Sequence, residues 1–150
     1  MSTPREVCTF HLDGHLFGVD VVDVQEIISP QQMTRVPLAP PAVAGLLNVR
    51  GQLVTAIDLR RRLDLPPRPP EAAPMNIVVR TGDGAVSFLV DRIGDVCPVD
   101  ADCFEPVPDT LTGPARELVT GVQKLPDQLL LILNAAKAAA LFNEPATPQT

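Results

Sequence analysis

Residues 45–63 read GLLNVRGQLVTAIDLRRRL, two apolar runs joined through Asn48, Arg50 and Gly51. If the first run continues as a strand through Arg50, alternation leaves one face apolar and puts Asn48 and Arg50 on the other. Gly51 lacks a side chain and lets another backbone or a ligand approach. Because burying an unpaired arginine is costly, Arg50 either pairs with a carboxylate of this chain, for which Glu26 is a plausible mate, or is presented to another molecule.

Composition indicates a small β-rich protein with one shared core. The chain has 150 residues, of which 45% are hydrophobic and only 3% aromatic, with 17 prolines. Abundant β-branched residues and frequent prolines favour short strands with abrupt turns. The formal charge of -6 repels phosphate backbones, and the few aromatic side chains offer little for base stacking. We therefore expect no nucleic-acid partner.

The residues that commonly bind metals are sparse. Cys8, Cys97 and Cys103 show no CxxC spacing, which favours small buried thiols in a reducing compartment. His11 and His15 flank a turn and give little support for zinc. We expect no metal and no cofactor.

Neither a secretory signal nor a spanning segment is visible in the sequence. The start, MSTPREVCTF, lacks a basic region followed by an apolar stretch. The longest purely aliphatic run, residues 129–133, is far too short to cross a bilayer. These features predict a cytoplasmic protein without direct membrane insertion.

The first half of the chain predicts a hairpin at Asp13-Gly14, whose residue types suit a type I′ turn, and a third strand that ends at Pro30. Another strand follows Gly51. Asp58 is placed to cap a short helix whose three arginines, residues 60–62, are expected to face solvent. The alternative is that this short basic patch meets an acidic partner. Residues 66–74 are predicted to form a stiff proline-rich loop.

The second half repeats the pattern of the first, with Asp83-Gly84 in the place of the first turn. Residues 101–117 are expected to be irregular. A final hairpin is predicted around Pro126-Asp127, and Asn134 is placed to cap the alanine-rich helix that follows. The repeated hairpin favours two similar β subdomains over one large sandwich.

Catalytic motifs are missing from the sequence. No GxSxG, P-loop or GxGxxG occurs, and none of Ser2, Ser29 and Ser87 follows a glycine-rich elbow. Asp20 and Asp23 would point to opposite faces of an extended segment. We therefore expect no enzyme activity.

The quoted stretch resembles the signature of CheW-type chemotaxis coupling proteins, in which Gly-x-x-Asn-x-Arg-Gly precedes an apolar strand ending in Asp-Leu-Arg. Three further segments resemble that family in the right order: FGVDVVDVQEI, FLVDRIGDV and GVQKLPDQLLLILNAAKAAAL. The chain departs from the family pattern at Thr55, where many relatives have proline, and at Asn134, where they often have aspartate.

The resemblance implies a mainly β fold of two small five-stranded SH3-like barrels packed together, with short helices including a C-terminal one. This domain would span residues 6–143, between flexible termini at 1–5 and 144–150. The implied function is a non-catalytic adaptor between the cytoplasmic tips of methyl-accepting chemoreceptors and the regulatory domain of a CheA-type histidine kinase.

By position, the resemblance also implies two binding surfaces. The receptor-binding groove between the barrels would include Glu26, Asn48, Arg50, Gly51, Val90 and Asp91. The kinase-binding patch would include Val24, Ile27 and Ile28. Two alternatives remain open: an adaptor of a pilus-motility or other chemosensory-like pathway, and a small-molecule-binding β-barrel protein or enzyme with a site between the barrels.

Overall fold

The computed structural model describes residues 5–82 and 84–140. The predicted flexible termini therefore lie outside the described residues, except for Arg5, which begins the first strand. Asp83, part of the second predicted turn, also lies outside the described residues. The strands are β1 (Arg5–Leu12), β2 (His15–Asp20), β3 (Val24–Ile28), β4 (Val43–Val49), β5 (Gln52–Asp58), β6 (Met75–Arg80), β7 (Ala85–Val90), β8 (Arg92–Val99), β9 (Phe104–Glu105), β10 (Val119–Lys124) and β11 (Leu129–Leu133). The helices are α1 (Leu59–Arg62), α2 (Pro114–Leu118) and α3 (Ala135–Ala138).

The strands form two sheets, which confirms the predicted mainly β fold with two subdomains. One sheet has the order β8-β1-β2-β11-β10-β9 and the other has the order β3-β6-β7-β5-β4. The first sheet has six strands and not five, because the two-residue β9 adds to the edge at β10. The strands of one sheet are not all consecutive in the chain. The six-stranded sheet takes β1 and β2 from the start of the chain and its other four strands from the second half. No ladder of the described strands closes either sheet into a barrel.

Alternation along the central strands buries both of their faces. The core between the sheets contains Phe10 and Phe88, both fully buried. The opposite faces of the same strands line two smaller cores, one inside each curled sheet; Val78 belongs to the inner core of the five-stranded sheet and Leu130 to that of the six-stranded one. The buried members of these two smaller cores are all aliphatic, whereas the core between the sheets also uses phenylalanine.

The locally encoded features are where the sequence places them. Asp13 (φ 51°) and Gly14 (φ 80°) form the two-residue turn between β1 and β2. The Asp58 carboxylate accepts a hydrogen bond from the Arg60 backbone N–H (3.1 Å), and Asn134 Oδ1 accepts one from that of Lys137 (3.0 Å). Both predicted helix caps are confirmed, although the helices that they begin, α1 and α3, have only four residues each.

The region predicted to be irregular, residues 101–117, holds β9 and the start of α2, which Pro114 begins. No helix among the described residues is both long and apolar enough to cross a membrane.

Candidate functional site

Arg50 lies in a tight turn and not at the end of a strand. The first strand of the quoted stretch ends at Val49, which pairs with Gln52, so Arg50 (φ 53°) and Gly51 (φ 87°) form a two-residue hairpin turn between β4 and β5. The prediction that Arg50 shares a strand face with Asn48 is therefore wrong. The Asn48 side chain instead stabilises the turn, because its Oδ1 accepts a hydrogen bond from the Gly51 backbone N–H at 2.9 Å.

The guanidinium of Arg50 is held by Glu26 and yet remains open to solvent. Arg50 Nε lies 3.2 and 3.1 Å from the two carboxylate oxygens of Glu26, and Nη2 lies 3.1 Å from Oε1. The Arg50 side chain is 80% exposed and that of Glu26 is 18% exposed. The pairing suggested by the sequence is thus present, and it leaves most donors of Arg50 available to a partner.

This ion pair joins the two edges of the five-stranded sheet. Glu26 is on β3 and Arg50 directly follows β4, and these are the two edge strands. The sheet must therefore coil strongly to bring them together. The hydrogen bond from Arg50 holds the pKa of Glu26 below its ordinary value, and the same contact raises the pKa of Arg50. Both groups keep their charge throughout the neutral range.

Apolar side chains that the sequence analysis did not single out lie beside the turn. On the outward face of β4 and β5, Leu53 is paired with Asn48 and is 67% exposed. The segment before β4 runs alongside, with Thr34 and Leu46 exchanging backbone hydrogen bonds of 2.9 and 2.8 Å. Together with Met33 these residues border a cleft of about 580 Å³. Leu53 could have been found from the sequence if a two-residue turn had been predicted at Arg50-Gly51, because the register of that hairpin puts Leu53 directly opposite Asn48.

Val90 and Asp91 lie away from this cleft. Because β5 and β7 are parallel neighbours, the turn before β5 and the residue after β7 lie at opposite ends of the sheet. Val90 is fully buried in the core between the sheets, so we leave it out of the proposed contact surface. Of the six residues predicted for the receptor groove, the structure brings together Glu26, Asn48, Arg50 and Gly51.

Asp91 lies at the centre of an internal charge cluster that the sequence analysis missed. Its Oδ1 accepts hydrogen bonds from Nε of Arg60 and Nε of Arg68, both at 3.0 Å. Its Oδ2 accepts from Arg60 Nη2 and from the Asp13 backbone N–H. Burial raises the pKa of the Asp91 carboxyl, but hydrogen bonds from Arg60, Asp13 and Arg68 outweigh it and leave that pKa below its ordinary value.

The arginines of α1 do not share a solvent-facing surface. Arg60 is buried in the Asp91 cluster, where its Nη1 also donates to the carbonyl of Pro66 at 2.9 Å. Arg62 donates to the carbonyls of Lys137 and Ala138 at the end of α3. The expectation of three solvent-facing arginines is therefore wrong, and only Arg61 remains exposed.

The three residues predicted for the kinase patch divide between two faces of β3. Val24 pairs with Val79 and packs against the core between the sheets. After a register shift between Val24 and Glu26, Ile27 pairs with Ile77. Ile28 faces the inner core of the five-stranded sheet. Ile27 is the exposed member of the three.

No set of three His, Cys, Asp or Glu side chains in residues 5–82 and 84–140 is placed to hold a metal ion. The turn at Arg50 and the neighbouring Leu53 form what we call the Arg50 surface. It presents a pre-oriented guanidinium beside an exposed leucine, an arrangement that suits recognition of another macromolecule.

A family model described as a CheW-like domain matches residues 6–142. The chain therefore belongs to the CheW-like family, as the sequence resemblance indicated. It is 30% identical over 133 residues to the chemotaxis protein CheW of Klebsiella aerogenes, covering 89% of this chain and 80% of that protein. It is 29% identical over 147 residues to CheW of Bacillus subtilis, covering 98% and 92%.

The fold is similar to that of a solved relative. The crystal structure of the scaffolding protein TtCheW from Thermoanaerobacter tengcongensis superposes with a TM-score of 0.83 at 27% identity, covering 98% of each chain. This chain therefore has the fold of a solved CheW scaffolding protein over nearly its whole length.

Proposed function

We propose that this chain is a non-catalytic adaptor in bacterial chemosensory signalling, which couples the cytoplasmic tips of chemoreceptors to the regulatory domain of a CheA-type histidine kinase. Membership in the CheW-like family supports the proposal. The observation that carries it is the exposed guanidinium of Arg50, which Glu26 orients without covering. Because both proposed partners present cytoplasmic domains, we propose that the adaptor acts in the cytoplasm.

The cleft beside Arg50 is proposed to bind a receptor helix. An amphipathic helix would lay its apolar face on Leu53, Leu46 and Met33, which border the cleft. A carboxylate on that helix would pair with Arg50 and set the register. Because Glu26 fixes the guanidinium beforehand, less side-chain entropy is lost on binding.

The Asn48-Gly51 hydrogen bond serves the same purpose at the level of the backbone. It holds the turn from which Arg50 projects, and both turn residues have positive φ, which only a well-supported hairpin retains. Asn48 and Gly51 are therefore positioning residues in this proposal, whereas Arg50 and Leu53 make the contact.

The kinase is proposed to contact β3 at Ile27. This residue is apolar, is partly exposed and lies on an edge strand, which leaves backbone groups of the strand accessible from one side. Val24 and Ile28 support the strand by packing into the two adjoining cores.

Reconstitution tests this function directly. Purified kinase and a receptor cytoplasmic fragment from the same organism are mixed with and without this chain, and kinase autophosphorylation is measured. We expect receptor-dependent activation only when the chain is present. If the chain binds neither protein and leaves the kinase rate unchanged, the proposed function is refuted.

A further inference from the structure

A second cleft, of about 590 Å³, lies at the opposite end of the five-stranded sheet from Arg50. The antiparallel pair β4 and β5 is joined by the Arg50-Gly51 turn, so the start of β4 and the end of β5 lie together at the far end. The cleft is bordered there by the segment that leads into β4 and by α1. Arg35 comes from the segment and Arg61 from the helix.

Positive charge predominates in this cleft although the whole chain carries -6. Neither Arg35 nor Arg61 has a carboxylate of residues 5–82 or 84–140 within ion-pair distance. Asp58 also borders the cleft, but its carboxylate caps α1 and lies 3.7 Å from Nη1 of Arg68. Arg68 also pairs with Asp91 at 3.0 Å, so the lining of the cleft carries two guanidinium groups against one carboxylate.

Leu38, which borders the same cleft, is an exposed apolar residue with an unusual backbone conformation. Its side chain is fully exposed, and its φ of 64° lies in the left-handed region that a leucine rarely adopts. It lies in a turn that is closed by a backbone hydrogen bond from the Ala39 N–H to the Val36 carbonyl (3.4 Å), and a second turn follows at Pro40. Strain at an exposed apolar residue gains nothing from packing in the free chain and is typical of a binding site.

We propose, on the basis of the adaptor function above, that this cleft docks an acidic segment of the kinase regulatory domain. Carboxylates of that segment pair with Arg35 and Arg61, and an apolar side chain covers Leu38. An adaptor must bind two partners at once, and this cleft is separated from the Arg50 surface by the length of the sheet. It also lies at the end where β3 finishes, since the ladders connect Ile28 through β6 and β7 to the end of β5.

A charge reversal with a matched control tests the electrostatic part of the proposal. Arg61→Glu is compared with Arg92→Glu, which makes the same change at an exposed position of the six-stranded sheet. Affinities for purified kinase and for the receptor fragment are measured by calorimetry on the full chain. We expect Arg61→Glu to weaken kinase binding about tenfold, more at low than at high salt, and to leave receptor binding unchanged.

Leu38→Asn tests the apolar part with two effects of opposite sign. Asparagine tolerates positive φ, so Tm should rise, while loss of the leucine should weaken kinase binding. The inference is overturned if Arg61→Glu and Arg92→Glu bind the kinase equally, or if Leu38→Asn binds it as the unmodified chain does. If the unmodified chain does not bind the kinase at all, the adaptor function itself is refuted, and the partner assigned to this cleft with it.

Discussion

Asp91→Ala should destabilise the fold strongly, because it removes the acceptor of four hydrogen bonds at once. The side chains that lose their ion pair with Asp91, those of Arg60 and Arg68, are only 10% and 9% exposed. Removing one partner of a buried ion pair costs about 3–5 kcal/mol, and because Asp91 itself is 19% exposed we take the lower end, about 3 kcal/mol. For a domain of this size that loss lowers Tm by roughly 6–12 °C.

Thermal unfolding followed by circular dichroism measures this effect. Asp95→Ala is the matched control, since it removes an exposed carboxylate of the neighbouring strand and should change stability by less than about 0.5 kcal/mol. The structural role assigned to Asp91 is wrong if Asp91→Ala keeps the Tm of the unmodified chain but loses receptor binding at a temperature well below that Tm. Asp91 would then be a contact residue.

The pKa of Asp91 gives this prediction a pH dependence. Because that pKa is lower in the folded than in the unfolded chain, the stabilisation is present above the ordinary aspartate pKa of about 4. It is lost as the pH falls through the folded-state pKa. The difference in free energy of unfolding between the unmodified chain and Asp91→Ala should therefore be constant near neutral pH and shrink below about pH 4.

Three further changes give separable results. Gly45→Ala places a Cβ 2.7 Å from the Thr34 carbonyl oxygen, so urea unfolding should show a loss of about 1–3 kcal/mol; an unchanged midpoint would contradict the close packing. Leu53→Asn should leave Tm nearly unchanged, since the side chain is exposed, and should weaken receptor binding; equal affinity would exclude Leu53 from the site. Arg68→Gln should release the proline-rich loop from Asp91, so residues 66–74 should become more sensitive to limited proteolysis; equal cleavage rates would refute that anchoring.

Features encoded by near neighbours in the chain could be predicted from the sequence. The Asp13-Gly14 turn, the cap at Asp58 and the cap at Asn134 each depend on residues within three positions, and all three are present. Glu26 and Arg50 are 24 positions apart, yet their pairing could be predicted. Burying an unpaired arginine is costly, and few carboxylates of the chain were suitable partners for it. The error at Arg50 came from extending strand alternation one residue into a turn.

The roles of Arg60 and Asp91 could not be predicted in the same way. Their contact depends on β5 and β7 lying side by side in parallel, so that α1 after one strand meets the residue after the other. The third member, Arg68, reaches them from the proline-rich loop, whose path no local pattern encodes. A run of three arginines resembles a solvated helix surface unless the long-range pairing of the strands is known.

The central claim is that Arg50 is held in place for a partner and not for the fold. The most direct measurement is the affinity of Arg50→Ala for the receptor cytoplasmic fragment, with Tm recorded on the same sample and Arg92→Ala as the control. We predict that Arg50→Ala loses receptor binding while its Tm stays close to that of the unmodified chain, because the side chain is largely exposed. Receptor affinity equal to that of the control would contradict the claim.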